Sequence, residues 1–164
     1  MSKIPIIPSQ TSEEGCLLLD VPLDLIQIPK WLNELSASKG FKAKDEYHVT
    51  VIGVDLAELI EKQRKTDRIK SLINSFNWTI EVGNRYIELA KDDKDGIHRQ
   101  SIICIVKIPE LATFYDQLTD ILGDKIKTPP AHVTLYTKNY DRGIGIYSEN
   151  DLQTFKVSDL KIKP

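Results

Sequence analysis

The stretch YHVTVIG at residues 47–53 decides the fold of this sequence. It is rich in β-branched residues and ends at a glycine, which predicts a strand. The stretch AHVTLYT at residues 131–137 has the same character and predicts another strand. The two share a His-Val-Thr tripeptide whose histidines stand at positions 48 and 132. Because the chain has only 3 histidines, chance rarely produces this repetition.

Alternation along a strand decides which side chains of each tripeptide act together. Successive side chains of a strand point to opposite faces. His48 and Thr50 therefore share one face, and His132 and Thr134 share one face in the second strand. If the two faces meet, two imidazoles and two hydroxyls converge on one volume.

This set of side chains suits chemistry at phosphorus. Histidine titrates near neutral pH, so one imidazole can accept a proton from the attacking oxygen while the other donates one to the leaving oxygen. Threonine hydroxyls can hydrogen-bond the non-bridging phosphate oxygens. The scheme needs no metal ion and no cofactor, and we expect neither.

Two other interpretations use the same histidines. Three imidazoles can bind zinc, but His98 lies in the polar stretch 95–100, and no carboxylate accompanies either tripeptide at a ligand-like spacing. We therefore expect His98 to be a surface residue. In the other interpretation, His48 and His132 are core residues of a protein-interaction domain.

Composition limits the class of protein. With 164 residues, 41% hydrophobic and 28% charged residues, the sequence predicts one compact domain. A net charge of −2 suits a small ligand or a strand end better than duplex nucleic acid. Cys16 and Cys104 lie in apolar runs and predict buried thiols. Without an apolar leader or span, we expect a cytoplasmic monomer that does not bind membranes.

The domain organisation repeats a strand–helix–strand unit. Residues 1–15 are expected to form a flexible N-terminal arm, and residues 16–164 a single bilobal domain with two pseudo-twofold β-α-β lobes. The predicted units comprise strand 17–21, helix 29–38 and strand 47–53, then strand 101–108, helix 109–122 and strand 131–137. The other predicted elements are a helix over 55–76, a hairpin around Gly83-Asn84, a charged turn over 91–96, a helical turn over 148–152 and a strand over 154–163.

The paired motifs resemble those of the 2H phosphoesterase superfamily, the LigT-like group that includes the bacterial RNA 2′,3′-cyclic phosphodiesterases. The resemblance covers most of residues 16–163. It implies an α+β fold in which two antiparallel sheets face each other across a central cleft, with the helices outside. It also implies that His48 and His132 are acid and base, and that Thr50 and Thr134 bind phosphate.

The resemblance further implies an activity. Members of the superfamily open 2′,3′-cyclic phosphates, process RNA ends or hydrolyse linear or cyclic oligonucleotides. We therefore expect a hydrolase whose substrate is a nucleotide, a cyclic oligonucleotide or an RNA end. The alternative is a nucleotide-binding sensor or scaffold that uses the same cleft with little or no turnover.

Four further residues are candidate substrate contacts. Tyr136 stands two residues after Thr134 and is expected on the same face. Lys138 continues that face, and Arg142 lies in the glycine-bearing loop 141–145, so either could neutralise phosphate charge. Trp31 could stack on a base, or it could belong to the core face of its helix.

Overall fold

The structure is a computed structural model that describes residues 3–9 and 15–162. Its five α-helices are α1 (Lys30–Ser38), α2 (Val54–Lys62), α3 (Thr66–Ser75), α4 (Leu111–Leu122) and α5 (Glu149–Phe155). Its strands are β1 (Ile4–Pro5), β2 (Ile7–Pro8), β3 (Leu17–Val21), β4 (Lys42–Ala43), β5 (Tyr47–Ile52), β6 (Thr79–Asp92), β7 (His98–Lys107), β8 (His132–Lys138) and β9 (Lys156–Leu160). This mixed content confirms the α+β class. None of the helices in the described part of the chain is long and apolar enough to cross a membrane.

The strands form one antiparallel sheet in the order β1-β6-β7-β8-β5-β3-β2, with β4 paired to β8 and β9 to β6. We expected two sheets, whereas the strands make one hydrogen-bonded series. Its halves join where β5 meets β8, through the residue pair Val49–Val133. Because β1 and β2 are consecutive in the chain, the segment Ile4–Pro8 reaches both ends of this order, and the sheet nearly closes on itself.

The two sides of the β5–β8 junction are built alike. In one, β3 leads through α1 to its antiparallel neighbour β5; in the other, β7 leads through α4 to its antiparallel neighbour β8. The registers correspond, because His48 pairs with Asp20 of β3 and His132 pairs with Ile105 of β7. Each tripeptide therefore occupies the second strand of a strand–helix–strand unit.

Helices cover one face of the sheet at this junction. Val49 and Val133 are fully buried and belong to a hydrophobic cluster with Leu32 of α1, Ile69 of α3 and Phe114 of α4. Each such apolar side chain contributes about 1.5–3 kcal/mol when it leaves water. This burial fixes which face of β5 and β8 points inward, and so which face carries the histidines.

A second, smaller cluster lies on the other face of the sheet. Ile87 of β6 and Ile103 of β7 pack there against Ile144 and Ile146, which follow β8, and against Leu152 of α5. We call residues 139–147 the β8–α5 loop. Its isoleucines anchor it on the face that also carries the histidines and threonines.

The predicted helix 55–76 is wrong as a single element. The structure has α2 and α3, separated at Arg64, whose φ is 57°. This left-handed conformation reverses the chain, and the N–H of Lys65 donates to the carbonyl of Ile60 at 3.0 Å. The break lets Ile60 and Ile69 both reach the core.

The predicted hairpin around Gly83-Asn84 is also wrong. Those residues lie inside β6, where its pairing with β7 is irregular between Val82 and Tyr86. The connection between β6 and β7 falls in the charged stretch as predicted. There the Asp93 side chain accepts hydrogen bonds from the N–H of Asp95 at 2.9 Å and of Ile97 at 3.0 Å.

Both ends of the chain add short elements. β1 and β2 lie within the stretch expected to be a flexible arm; residues 1, 2 and 10–14 of that stretch lie outside the described residues, and the expectation for them stays a prediction. The helical turn predicted at 148–152 is present as the start of α5, where Ser148 Oγ accepts from the N–H of Asp151 at 3.0 Å. The last strand begins only at Lys156, after the end of α5.

Candidate active site

The two tripeptides lie side by side. Val49 and Val133, their central residues, are opposite each other in the antiparallel pair of β5 and β8. Both valines have no exposed area and point into the helix-covered core. Because side chains alternate along a strand, the residues on either side of each valine point to the opposite face.

That face carries four polar side chains, His48, Thr50, His132 and Thr134, which we call the His/Thr quartet. All four are half-buried. The register of the Val49–Val133 pair puts His48 across from Thr134 and Thr50 across from His132. The two imidazoles thus occupy one diagonal of the quartet. Diagonal neighbours in such a pair lie about 7–8 Å apart, so the two rings are close without being in direct register.

The surroundings of His48 hold its pKa below the usual value. Burial is the main cause, because removal from water disfavours the charged imidazolium. The carboxylate of Glu46 acts in the opposite direction, the ammonium of Lys44 lowers the pKa further, and the carboxylate of Asp20 raises it. The pKa of His48 is therefore set by burial together with three charged neighbours.

The pKa of His132 is lowered as well. Burial lowers its pKa, a hydrogen bond with the Pro130 carbonyl raises it, and the charge of His48 lowers it. The Nδ1 atom lies 3.4 Å from that carbonyl oxygen. If Nδ1 carries the proton and donates it there, Nε2 has a lone pair with which to accept a proton. The effect of the His48 charge on the pKa of His132 is consistent with the diagonal placement of the two rings.

The β8–α5 loop forms a wall beside the quartet. A Cβ built on Gly143 would lie 2.5 Å from Oγ1 of Thr134, so only a glycine fits the present backbone there. Two cationic side chains hold the loop: Arg99 donates to the Gly143 carbonyl at 2.6 Å, and Lys44 Nζ donates to the Asp141 carbonyl at 2.8 Å. The wall therefore has a fixed position against the threonine.

The end of the same loop contacts the far end of β5. A Cβ on Gly53 would lie 2.2 Å from Cε1 of Tyr147, and a Cβ on Gly145 would lie 2.7 Å from its hydroxyl oxygen. The Tyr147 ring therefore packs against the backbone of two glycines, Gly53 and Gly145. Burial is the main cause that raises the pKa of Tyr147, and the charge of Asp55 raises it further.

The structure places Tyr136 away from the quartet. Ile102 of β7 pairs with Tyr136 and Ile103 pairs with Thr134, so Leu135 is an extra residue in β8. This bulge turns Tyr136 to the core side, where it is 3% exposed and its hydroxyl donates to the side chain of Asn33 in α1. The expectation that it shares a face with Thr134 assumed an unbroken alternation.

The other residues predicted from the sequence lie in different parts of the structure. Lys138 Nζ donates to the Lys39 carbonyl at 2.7 Å, at the end of α1, and so lies on the helix side. Trp31 packs in the core, edge-on to Tyr86 with the ring centroids 6.0 Å apart. Arg142 is exposed and directly precedes Gly143, whose backbone lies against Thr134. His98 is exposed as predicted, with Nδ1 2.7 Å from the Asp92 carboxylate.

Several residues around the quartet were not predicted from the sequence. Lys44, Asp20 and Arg99 come from three different strands or connections, and nothing in their local sequence marks them. The one usable signal is the pair of glycines in the stretch GIGIY at 143–147. Both allow the backbone to approach a side chain closely, Thr134 at Gly143 and Tyr147 at Gly145. Within residues 3–9 and 15–162, no three His, Cys, Asp or Glu side chains are grouped as metal ligands would be.

Comparison with known proteins gives no match, whether to family models, to curated proteins or to solved structures. The likeness to the 2H phosphoesterases therefore depends on the motifs alone.

The lowered pKa values predict how stability depends on pH. Between the folded-state pKa of each quartet histidine and about 6.5, its usual value, the unfolded chain binds more protons than the folded one. The free energy of unfolding should therefore fall as the pH drops below about 6.5. Urea denaturation of the wild type, His48→Gln and His132→Gln at several pH values tests this. A pH slope that neither substitution reduces would contradict it.

Proposed function

We propose that this protein is a metal-independent phosphodiesterase that hydrolyses nucleotide or RNA phosphodiesters, with 2′,3′-cyclic phosphates or cyclic oligonucleotides as its substrate class. The observation that carries the proposal is the His/Thr quartet itself. Two imidazoles and two hydroxyls from distant parts of the chain share one face at a strand junction. A histidine that served only to pack in the core would need no second histidine at the equivalent position of the other strand.

The quartet suits an in-line displacement. A phosphate between the two imidazoles would have one ring near the attacking oxygen and the other near the leaving oxygen. Thr50 and Thr134 occupy the other diagonal, where their hydroxyls can donate to the non-bridging oxygens and stabilise the charge that these carry in the transition state. Each ring needs only one proton transfer, and general acid–base catalysis of this kind contributes about 10²–10⁴-fold to a rate.

The neighbours of the two rings differ, and they support an assignment of roles. Burial lowers the pKa of both rings, but at His48 the carboxylates of Glu46 and Asp20 act against it, and Asp20 lies across from that ring in β3. His132 has apolar Ile105 at the corresponding place in β7. We assign His132 as the base that activates the attacking water or hydroxyl, and His48 as the acid that protonates the leaving oxygen.

The arrangement of the strands around the quartet also supports the proposal. β5 and β8 are joined by a single residue pair, and a similar strand–helix–strand unit lies on each side. We propose that these units act as two lobes and that the quartet lies in the cleft between them, with the β8–α5 loop along one side.

The experiment is a substrate panel assayed in excess chelator. The panel contains nucleoside 2′,3′-cyclic phosphates, cyclic di- and trinucleotides, and RNA oligonucleotides with a 2′,3′-cyclic end. We expect turnover of at least one class, unaffected by chelator. Activity that disappears with chelator and returns with zinc would contradict the metal-independent scheme. Binding of a nucleotide with no turnover in the whole panel would favour the sensor or scaffold instead.

A further inference from the structure

The two ends of the His/Thr quartet carry different charge, although the two halves of the sheet correspond. Lys44 stands four residues before His48, and Thr128 stands four residues before His132. The pseudo-twofold relation would bring equivalent groups to both ends, but only the first of these two positions is cationic. A ligand that lies across the quartet therefore meets an ammonium at the His48 end, beside the carboxylates of Glu46 and Asp20, which also act on His48.

Burial and two hydrogen bonds hold Lys44 in place. It is half-buried, its backbone N–H donates to the Leu135 carbonyl at 2.9 Å, and its Nζ donates to the Asp141 carbonyl at 2.8 Å. Besides burial, its charge lowers the pKa of His48, whereas the carboxylates of Glu46 and Asp20 raise it. An ammonium has three N–H donors, and the loop carbonyl accepts one of them. A side chain that is already ordered loses less entropy when it binds an anion.

Other cations surround the same end. Lys42 of β4 pairs with Thr137 of β8. Arg99 of β7 holds the β8–α5 loop, and its buried Nε has no hydrogen-bond partner within the described residues. Arg142 lies in that loop. Carboxylates lie at the same end, since Glu46 and Asp20 act on His48. A ligand phosphate would therefore be bound by direct charged hydrogen bonds from these cations and not by an excess of positive charge.

The opposite end of the quartet has another character. Beyond Thr50, β5 ends at Gly53, against which the half-exposed Tyr147 ring packs. Asp55 is close enough to raise the pKa of that tyrosine. An aromatic ring beside a carboxylate suits a sugar or a base and disfavours a phosphate.

We propose that Lys44 anchors a second phosphate-binding subsite beside the quartet, so that the substrate carries a further phosphate on the His48 side of the reacting one. The inference rests on the proposed function in one respect: the reacting phosphate occupies the quartet. The further phosphate is either a terminal monoester or the next diester of an oligonucleotide.

Calorimetric titration tests the subsite, and His132→Ala is titrated in parallel so that the diester of the dinucleotide stays intact during the measurement. The probes are adenosine 3′-monophosphate, adenosine 3′,5′-bisphosphate and the dinucleotide adenylyl-adenosine 3′-phosphate. We expect at least one of the two doubly phosphorylated probes to bind the wild type about tenfold tighter than the monophosphate, as one charged hydrogen bond provides. The probe that shows the gain identifies the source of the second phosphate.

Three variants make the test specific. Lys44→Gln should reduce the preference to about threefold or less, and Lys44→Arg, which keeps the charge, should retain most of it. Lys30→Gln is the matched control, because the Lys30 side chain on α1 is 90% exposed and its ion pair within the described residues is with Glu34 at 3.6 Å. Its preference should equal that of the wild type.

The outcomes separate this inference from the proposed function. No preference in the wild type, or a preference that Lys44→Gln leaves intact, would overturn the subsite. A preference that depends on Lys44 supports it, even if no substrate in the panel is cleaved; in that case only the phosphodiesterase proposal fails. Because His132→Ala retains Lys44, it should keep the preference.

Discussion

Replacing either His48 or His132 with alanine is expected to lower kcat for a cleaved panel substrate by about 10²–10⁴-fold. Each ring handles one proton of the same displacement, so the double variant should lose little more than the worse single variant. Nucleotide binding should persist, because the threonine hydroxyls remain. Steady-state kinetics and titration calorimetry measure the two effects separately.

His98→Ala is the matched control, because that histidine is exposed and contacts Asp92 instead of the quartet. Its kcat should stay within about twofold of the wild type, as for a surface substitution away from any site. If kcat falls less than tenfold in both quartet variants, the rings are not the acid and the base.

The assigned roles predict a difference between the two variants. An aryl phosphodiester whose leaving group is stable as an anion needs no acid. With such a substrate, His48→Ala should recover most of its lost rate, whereas His132→Ala should stay impaired because water still has to be activated. The opposite pattern would exchange the roles and leave the phosphodiesterase proposal intact.

Gly143→Ala is expected to lower kcat/KM by about 10²-fold, because a displacement of about 1 Å in a site has an effect of that size. The new Cβ would lie 2.5 Å from Oγ1 of Thr134, a separation that Cβ atoms do not adopt. Thr134 is β-branched and lies in a paired strand, so it yields little. Either the hydroxyl rotates away from the phosphate or the loop moves off the quartet.

Gly83→Ala is the control for this substitution. Its Cβ would meet nothing closer than the Ile105 carbonyl oxygen at 3.7 Å, an ordinary contact. Its kcat/KM should remain within about twofold, as expected of a substitution that creates no clash. Urea denaturation shows whether either variant loses stability. Full activity in Gly143→Ala would mean that the loop does not set the position of Thr134.

The strands that carry the site could be predicted because their information is local. β-branched residues and alternating polarity mark residues 47–53 and 131–137 as strands with a polar and an apolar face. The same alternation predicts that each histidine shares a face with its threonine. The polar faces adjoin because of the register between β5 and β8, which the shared pattern suggests and only the fold determines.

The rest depends on irregularities that composition does not mark. One extra residue at Leu135 turns Tyr136 into the core, and nothing in TLYT distinguishes it from a regular strand. Arg64 takes a left-handed conformation without being glycine, so a continuous helical pattern hid a break. Lys44 reaches the quartet because its backbone is tied to β8, a contact between residues far apart in sequence.

Two of the three shortest strands, β1 and β2, have a consequence for how the molecule behaves in a crowded solution. An outer strand with unpaired backbone groups is a template on which other chains can add and aggregate. β2 covers the outer side of β3, and β1 with β9 covers the outer side of β6. Both β1 and β2 are two residues long and end in proline, which has no N–H to offer a newcomer. A few residues near the N-terminus thereby keep this sheet from growing beyond its own chain.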